Sequence, residues 1–83
     1  MNPEQAREII IASIGQVAPD ADAGAVAGDA DLLDELDLDS MDVLNIVVAV
    51  HDRCGLEVAE RDYPKLLTLD GFTDHLVNLA TSG

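Results

Sequence analysis

The stretch that decides how this chain folds is residues 36–44, which read LDLDSMDVL. An acidic segment ends at Ser40, and an apolar segment starts directly after it. Serine is a good N-cap because its side-chain oxygen can accept a hydrogen bond from a backbone N–H of the first helical turn. We therefore expect a helix to begin at Ser40, with its hydroxyl at the surface among Asp37, Asp39 and Asp42.

The residues that follow predict a long helix over residues 40–54. Gly55 is well placed to end it, because glycine readily adopts the left-handed conformation that closes many helices. Apolar side chains recur at i, i+3, i+4, i+7 and i+11, which is the spacing of one buried helix face. These residues are Val43, Ile46, Val47, Val50 and Cys54. Met41, Leu44 and Val48 fall outside that face, so they form either an exposed docking strip or a partly buried edge.

Three more segments follow helical patterns. Residues 3–17 have a proline in the first turn and apolar side chains at helical spacing, and residues 68–80 repeat that spacing after a threonine cap. Residues 60–65 allow one further turn, limited by a proline. A long connection of small and acidic residues occupies positions 19–39. The sequence therefore predicts a single all-α domain over residues 1–83, a bundle of three main helices plus one short helix.

Charge restricts the partners of this chain. It has 17 acidic residues against four Lys and Arg, for a net charge of -13. Such a surface repels nucleic acid and anionic membranes but attracts basic protein surfaces. No signal-peptide pattern opens the sequence, no apolar run approaches the ~20 residues that span a bilayer, and Cys54 alone allows no internal disulfide. We expect a soluble, cytoplasmic monomer.

The sequence does not contain a pattern in which residue types needed for catalysis would lie close together. His51 and His75 are the only histidines, and His51 lies eleven residues beyond Ser40, or roughly 16 Å along a helix. His51 and Cys54 lack the third and fourth ligands of a zinc site. The two Asp-Ala-Asp runs of the long connection lack the remaining ligands of an EF-hand loop. The sequence therefore predicts neither an enzyme nor a dedicated metal site.

Taken together, these features identify a resemblance to a known family. Residues 39–42 read DSMD at the start of an apolar helix, residues 55–58 read GLEV after it, and a last helix follows Thr68. With the domain length, helix order and acidity, the chain resembles an acyl carrier protein from about Glu4 to Ala80. The resemblance implies that Ser40 receives a 4′-phosphopantetheine arm from coenzyme A, through a separate phosphopantetheinyl transferase. The thiol of the arm would hold acyl groups as thioesters for enzymes of fatty acid, lipid or secondary-metabolite synthesis.

The resemblance also implies roles for the residues around Ser40. Partner enzymes with basic docking surfaces, namely the transferase and an acyl ligase, synthase or acyltransferase, would contact one set of side chains. That set is Asp39, Met41, Asp42, Leu44, Asn45 and Val48. The core could part to shelter an acyl chain between a second set, which is Val43, Ile46, Val47, Val50, Leu66 and Phe72.

Two departures from the family pattern suggest a specialised carrier. Fatty-acid carriers usually have Gly-Ala-Asp-Ser-Leu-Asp, whereas residues 37–42 here read DLDSMD. On the exposed side of the predicted second helix, the positions where acidic residues are frequent are occupied by Asn45, Val48, His51 and Arg53. Two alternatives stay open from the sequence: an aminoacyl or peptidyl carrier with the same arm, and an acidic helical adaptor without an arm.

Overall fold

A computed structural model of the chain describes residues 1–82. The helices are α1 (Pro3–Val17), α2 (Leu32–Glu35), α3 (Ser40–Cys54) and α4 (Leu69–Ser82), with 3₁₀ turns at Ala23–Ala25 and Glu60–Leu66. We call Glu60–Leu66 the 3₁₀ segment. Residues 1–82 contain no β-strand and one isolated bridge, between Asp31 and Thr68. The prediction of an all-α fold with three main helices is confirmed.

Helix α1 is the element that both other long helices contact. The Asn2 side chain accepts a hydrogen bond from Gln5 N–H at 2.8 Å, and Gln5 Oε1 accepts one from Asn2 N–H at 3.1 Å. This reciprocal cap satisfies donors of the first turn, and Pro3 follows the cap at a position where no N–H is needed. The buried side chains of α1 are Ala6, Ile10, Ser13 and Ile14. They pack against α3 and α4, so α1 holds the bundle together.

Helix α3 has the bounds that the sequence predicts. Gly55 ends it in the left-handed region, with φ 74°, and donates its N–H to His51 O at 2.7 Å. The buried residues of α3 lie on the predicted face, joined by one alanine: Val43, Ile46, Val47, Ala49 and Val50. Because that face turns inward, the N-terminal turn and the opposite face of α3 stand in solvent.

The 3₁₀ segment packs closely on the beginning of α4. Thr68 Oγ1 accepts a hydrogen bond from Gly71 N–H at 3.0 Å, which is the predicted cap. A Cβ atom at Gly71 would lie 2.5 Å from Lys65 O, so only glycine allows this approach of the two backbones. Leu66, Leu69 and Phe72 are buried at the junction, which closes one end of the core.

The connection between α1 and α3 is more ordered than the sequence indicates. It contains the 3₁₀ turn Ala23–Ala25 and the four-residue helix α2, which Asp31 caps through Leu33 N–H at 3.0 Å. Leu32 N–H donates to Leu67 O at 2.7 Å, and Asp70 N–H donates to Gly28 O at 2.9 Å. These bonds fasten the connection to the start of α4, and they fix the direction from which the chain enters α3.

Candidate functional site

The first turn of α3 is capped by Asp39 and not by Ser40. Asp39 is extended, with φ -113° and ψ -178°, and its carboxylate accepts a hydrogen bond from Asp42 N–H at 3.0 Å. The Asp42 carboxylate in turn accepts one from Asp39 N–H at 3.1 Å. The expectation that Ser40 is the N-cap was wrong, because the extended backbone at Asp39 places its side chain over the open end of the helix.

Ser40 is therefore the first residue inside α3, and its hydroxyl has no capping role. The side chain is exposed, and within residues 1–82 its hydroxyl makes no hydrogen bond. Asp42 N–H is bound by the Asp39 carboxylate and Val43 N–H by the Asp39 carbonyl, at 3.0 and 3.2 Å. The N–H groups of Ser40 and Met41 are left without intrahelical partners, as is usual in a first helical turn. The site thus offers an accessible hydroxyl beside two open backbone donors.

The approach to Ser40 contains a backbone feature that the sequence does not reveal. Asp37 has φ 54°, the only positive φ of a non-glycine residue within residues 1–82. Asp and Asn tolerate this left-handed conformation better than other residues, but it still costs of order 1 kcal/mol. The turn brings Leu38 N–H to within 2.9 Å of Leu33 O, which folds the chain back toward α2 just before Ser40.

An apolar strip extends from Ser40 along the solvent face of α3. Met41 is 62% exposed, Leu44 is 40% exposed and Val48 is 52% exposed. Asn45 is exposed between them. We call Met41, Leu44, Asn45 and Val48 the outer stripe; it is about 10 Å long, from seven steps of 1.5 Å between Met41 and Val48. The sequence left two interpretations open for Met41, Leu44 and Val48, an exposed strip or a partly buried edge. In the structure they form an exposed strip.

A small void lies in the core beneath the site. It is lined by Ile14, Leu32, Leu33, Leu38, Val43, Ile46, Leu66 and Phe72, and its volume is about 10 Å³. Such a volume is near the minimum for a single water molecule, so a hydrocarbon chain fits only if the walls part. Leu33 and Leu38 are the two lining residues that are only half-buried, and Leu38 belongs to the segment that leads to Ser40.

Four of the six predicted pocket residues line this void: Val43, Ile46, Leu66 and Phe72. Val47 and Val50 are buried but do not line it. The sequence did not assign Leu33 and Leu38 to the void, because they belong to an irregular segment where no helical period indicates an inward face. Their only sequence signal is that they are leucines in an otherwise acidic connection.

The groups that would make Ser40 a catalytic nucleophile are far away or already bound. His51 is exposed near the other end of α3, where its Nδ1 lies 3.2 Å from Leu56 O. Cys54 Sγ donates a hydrogen bond to Val50 O at 3.1 Å. No three His, Cys, Asp or Glu side chains of the described chain are grouped so that they could hold a metal ion. The described helices are all too short or too polar to cross a bilayer.

Comparison with known proteins gives consistent matches over most of the chain. The family model described as "Phosphopantetheine attachment site" matches residues 8–76. An acyl carrier protein of Tropheryma whipplei is 31% identical over 74 residues, which are 86% of this chain and 90% of that protein. An acyl carrier protein of Campylobacter hominis is 29% identical over 92% of this chain and 90% of its own length. An acyl carrier protein of Rhodococcus erythropolis is 29% identical over 93% of this chain and 88% of its own length.

Proposed function

The chain belongs to the acyl carrier protein family, and from this premise we propose that it carries acyl groups on a 4′-phosphopantetheine arm attached to Ser40. The observation that carries this proposal is the position of the Ser40 hydroxyl, exposed at the first residue of α3 and not used in capping. The arm supplies a terminal thiol that holds the acyl group as a thioester. The protein itself carries and presents the group; catalysis belongs to its partners.

The surroundings of Ser40 fit a phosphodiester. Its negative charge would stand at the N-terminus of α3, where the open N–H groups of Ser40 and Met41 and the helix dipole favour an anion. Asp37, Asp39 and Asp42 oppose this effect, so the attachment point is not a strong anion site by itself. The carboxylates of Asp39 and Asp42 already accept hydrogen bonds from backbone N–H groups, and His51 lies at the other end of α3. The transferase would therefore supply the group that takes the hydroxyl proton when Ser40 attacks the pyrophosphate of coenzyme A and adenosine 3′,5′-bisphosphate leaves.

Partner enzymes would dock along α3 beside Ser40. The outer stripe offers them an apolar contact, and Asp39 and Asp42 place carboxylates at its serine end. Apolar side chains at the centre of an interface supply most of its binding energy, while charges at the rim raise the association rate. A basic partner surface with an apolar centre fits this arrangement, and we propose such surfaces on the transferase and on the ligase, synthase or acyltransferase that uses the carrier.

The lining of the void supports an acyl cargo over an aminoacyl cargo. All eight residues around it are apolar, with no buried polar atom to pair with an amino group. A hydrocarbon chain that entered by parting Leu33 and Leu38 would be removed from water, which stabilises it by about 0.8 kcal/mol per methylene. We therefore propose enzymes of fatty acid, lipid or secondary-metabolite synthesis as the users of this carrier.

Attachment can be tested by intact mass after incubation with coenzyme A, Mg²⁺ and a broad-specificity phosphopantetheinyl transferase. We expect the mass to increase by one phosphopantetheine group in the wild type and not in Ser40→Ala. Ser13→Ala is the matched control, because Ser13 is buried in α1, where it donates to Ile9 O at 2.7 Å. Labelling that survives Ser40→Ala would refute Ser40 as the attachment point, and a wild type that stays unlabelled would favour an adaptor without an arm.

Docking can be tested in the same reaction. Val48→Glu places a charge in the outer stripe, and we expect it to lower kcat/KM for labelling about tenfold, the effect of losing about 1.4 kcal/mol of contact energy. Leu67→Glu is the matched control, since Leu67 is also an exposed apolar residue but lies outside α3. Equal rates for the two variants would contradict docking on the outer stripe.

A further inference from the structure

An unusual pair of side chains joins the 3₁₀ segment to α4. The side chain of His75, on α4, is only 10% exposed, and its Nε2 is buried without a hydrogen-bond partner among the described residues. This nitrogen lies 3.6 Å from Oδ2 of Asp62, whose side chain is 18% exposed. The separation is too long for a hydrogen bond but short enough for an ion pair when the ring is protonated. A buried polar atom left in this state calls for an explanation.

The pair lies where it can hold one wall of the void. The 3₁₀ segment contributes Leu66 to that wall, and α4 contributes Phe72. Gly71 is on the same side of α4, where its missing Cβ lets Lys65 O approach. Gly71 therefore sets the distance between the two elements at one end of the segment, and the His75 ring meets Asp62 nearer the other end.

We propose that His75 and Asp62 form a proton-dependent latch that keeps the 3₁₀ segment against α4 and thereby keeps the wall of the void closed. When His75 is protonated, it is a cation at contact distance from the Asp62 carboxylate, and the two elements attract each other. When the proton is lost, the attraction is lost, and one contact holding Leu66 in place is weakened. The part of this inference that concerns an acyl chain rests on the proposed function, whereas the latch itself does not.

Other charged groups lie on the elements around the pair. Within the 3₁₀ segment, Lys65 Nζ lies 3.2 Å from Asp62 Oδ1, the carboxylate oxygen that does not face His75. The Lys65 side chain is 63% exposed. The other titratable or charged groups of the elements that contact α4 are Glu60, Arg61 and Tyr63 on the segment, Asp70 and Asp74 on α4 itself, and Glu4, Arg7 and Glu8 on α1. Asp29 and Asp31 lie on the part of the connection that is hydrogen-bonded to the start of α4. Acids outnumber bases among these groups, and the whole chain has a net charge of -13.

The direction of the pH effect follows from the two side chains of the pair, His75 and Asp62. Histidine side chains change charge between about pH 5 and 8. The latch is present at the lower end of this range and is lost as the pH rises through it. Exposed ion pairs contribute about 0.2–1 kcal/mol, and for a pair that is mostly buried we take the upper part of this range, about 0.4–1 kcal/mol. Losing that energy changes the equilibrium between the closed and open positions of the wall by a factor of about two to five.

The latch can be tested on the protein without its arm by amide hydrogen exchange, followed by NMR at pH 6 and pH 8. Protection factors remove the intrinsic pH dependence of exchange, and Asp62 N–H, which donates to Ala59 O at 2.9 Å, reports on the 3₁₀ segment. We expect its protection factor to fall about two- to fivefold from pH 6 to pH 8 in the wild type. His75→Gln and Asp62→Asn should both show the lower protection at pH 6 and little further change at pH 8.

His51→Gln is the matched control, because it removes the other histidine, which is exposed on α3. We expect this variant to behave as the wild type. Asp62→Asn keeps the size of a partly exposed side chain, so a change in its pH response is not a consequence of lost folding. Protection of the 3₁₀ segment that does not depend on pH, or a dependence that persists in both His75→Gln and Asp62→Asn, would overturn the latch.

The consequence for cargo is a separate measurement on protein acylated through the arm. The rate at which hydroxylamine cleaves the thioester, divided by the rate for the same acyl group on free pantetheine, reports shelter at each pH. We expect this ratio to rise about two- to fivefold from pH 6 to pH 8 in the wild type and to be equal at the two values in His75→Gln. A ratio that is unchanged in the wild type, while the latch is seen by hydrogen exchange, would refute the link to shelter without affecting attachment at Ser40.

Discussion

At the start of α3, the cap that stabilises the helix and the proposed attachment point are two adjacent residues, Asp39 and Ser40. Their roles can therefore be tested by separate substitutions. Asp39→Ala removes the carboxylate that accepts from Asp42 N–H at 3.0 Å, and losing an N-cap costs about 0.5–2 kcal/mol. Ser40→Ala removes an exposed hydroxyl that has no capping role, and alanine is the better helix former by about 0.5 kcal/mol. We expect the free energy of unfolding to fall by about 1 kcal/mol in Asp39→Ala and to stay within about 0.5 kcal/mol of the wild type in Ser40→Ala.

These differences are measurable in a domain of this size. An unfolding entropy of about 2.1 cal/mol/K per residue gives about 0.17 kcal/mol/K for 83 residues, so 1 kcal/mol corresponds to about 6 °C in Tm. In urea, with a slope of about 1 kcal/mol/M, it corresponds to about 1 M in the midpoint. Asp39→Asn is the matched control: it removes the same charge as Asp39→Ala but keeps an oxygen that can cap. All variants are compared at one salt concentration, because net charge affects the stability of this acidic chain.

Two outcomes would refute the reasoning. If Ser40→Ala lost as much stability as Asp39→Ala, the serine would be the cap after all, and its hydroxyl would not be available without cost. If Asp39→Asn and Asp39→Ala were equally destabilised, the carboxylate would act through its charge and not through the bond to Asp42 N–H. Attachment is scored independently by intact mass, where Ser40→Ala is expected to be unlabelled.

Three further predictions concern the backbone and the charge. At Asp37, with φ 54°, Asp37→Ala should lower the free energy of unfolding by about 1 kcal/mol and Asp37→Gly should not lower it, as measured in urea. Gly71→Ala should cost about 1–3 kcal/mol, because its Cβ would lie 2.5 Å from Lys65 O; Gly15→Ala, whose Cβ meets nothing within 4 Å, should instead gain about 0.5–1 kcal/mol. Self-repulsion at a net charge of -13 should make Tm rise with NaCl and with millimolar Mg²⁺, and a Tm that does not change would contradict it.

The long helices could be predicted from the sequence because each has two independent local signals. In α3 the apolar period and Gly55 agree, and the structure ends the helix where both indicate. In α4 the apolar period and the Thr68 cap agree in the same way. Helix α2 has only one of these signals, the capping residue Asp31, because four residues are too few for an apolar period. It is held in place by bonds to a segment more than 30 residues away, such as Leu32 N–H to Leu67 O. Local patterns contain no information about such bonds.

The sequence predicted that α3 begins at Ser40, but it assigned the capping role to the wrong residue. Asp39 and Ser40 are both good N-caps by residue type, and only the backbone conformation at Asp39 decides between them. The void was predicted in part for a similar reason. Periodicity identifies which residues of α3 point inward. It does not distinguish a residue that borders the void, such as Val43, from one that is buried away from it, such as Val47, because that difference depends on the tertiary arrangement.

The long connection before Ser40 is fastened by peptide groups, and this has a consequence for how the sequence can change over time. The bonds from Leu32 N–H to Leu67 O and from Asp70 N–H to Gly28 O join main-chain atoms, so they do not use the acidic side chains of the connection. Apart from proline, which lacks the N–H, a substitution at Leu32 or Asp70 leaves these bonds possible. Apart from Asp31, Asp37 and Asp39, which cap helices or occupy the left-handed turn, the acidic residues of the connection can therefore change in number and position while the serine keeps its place in the fold.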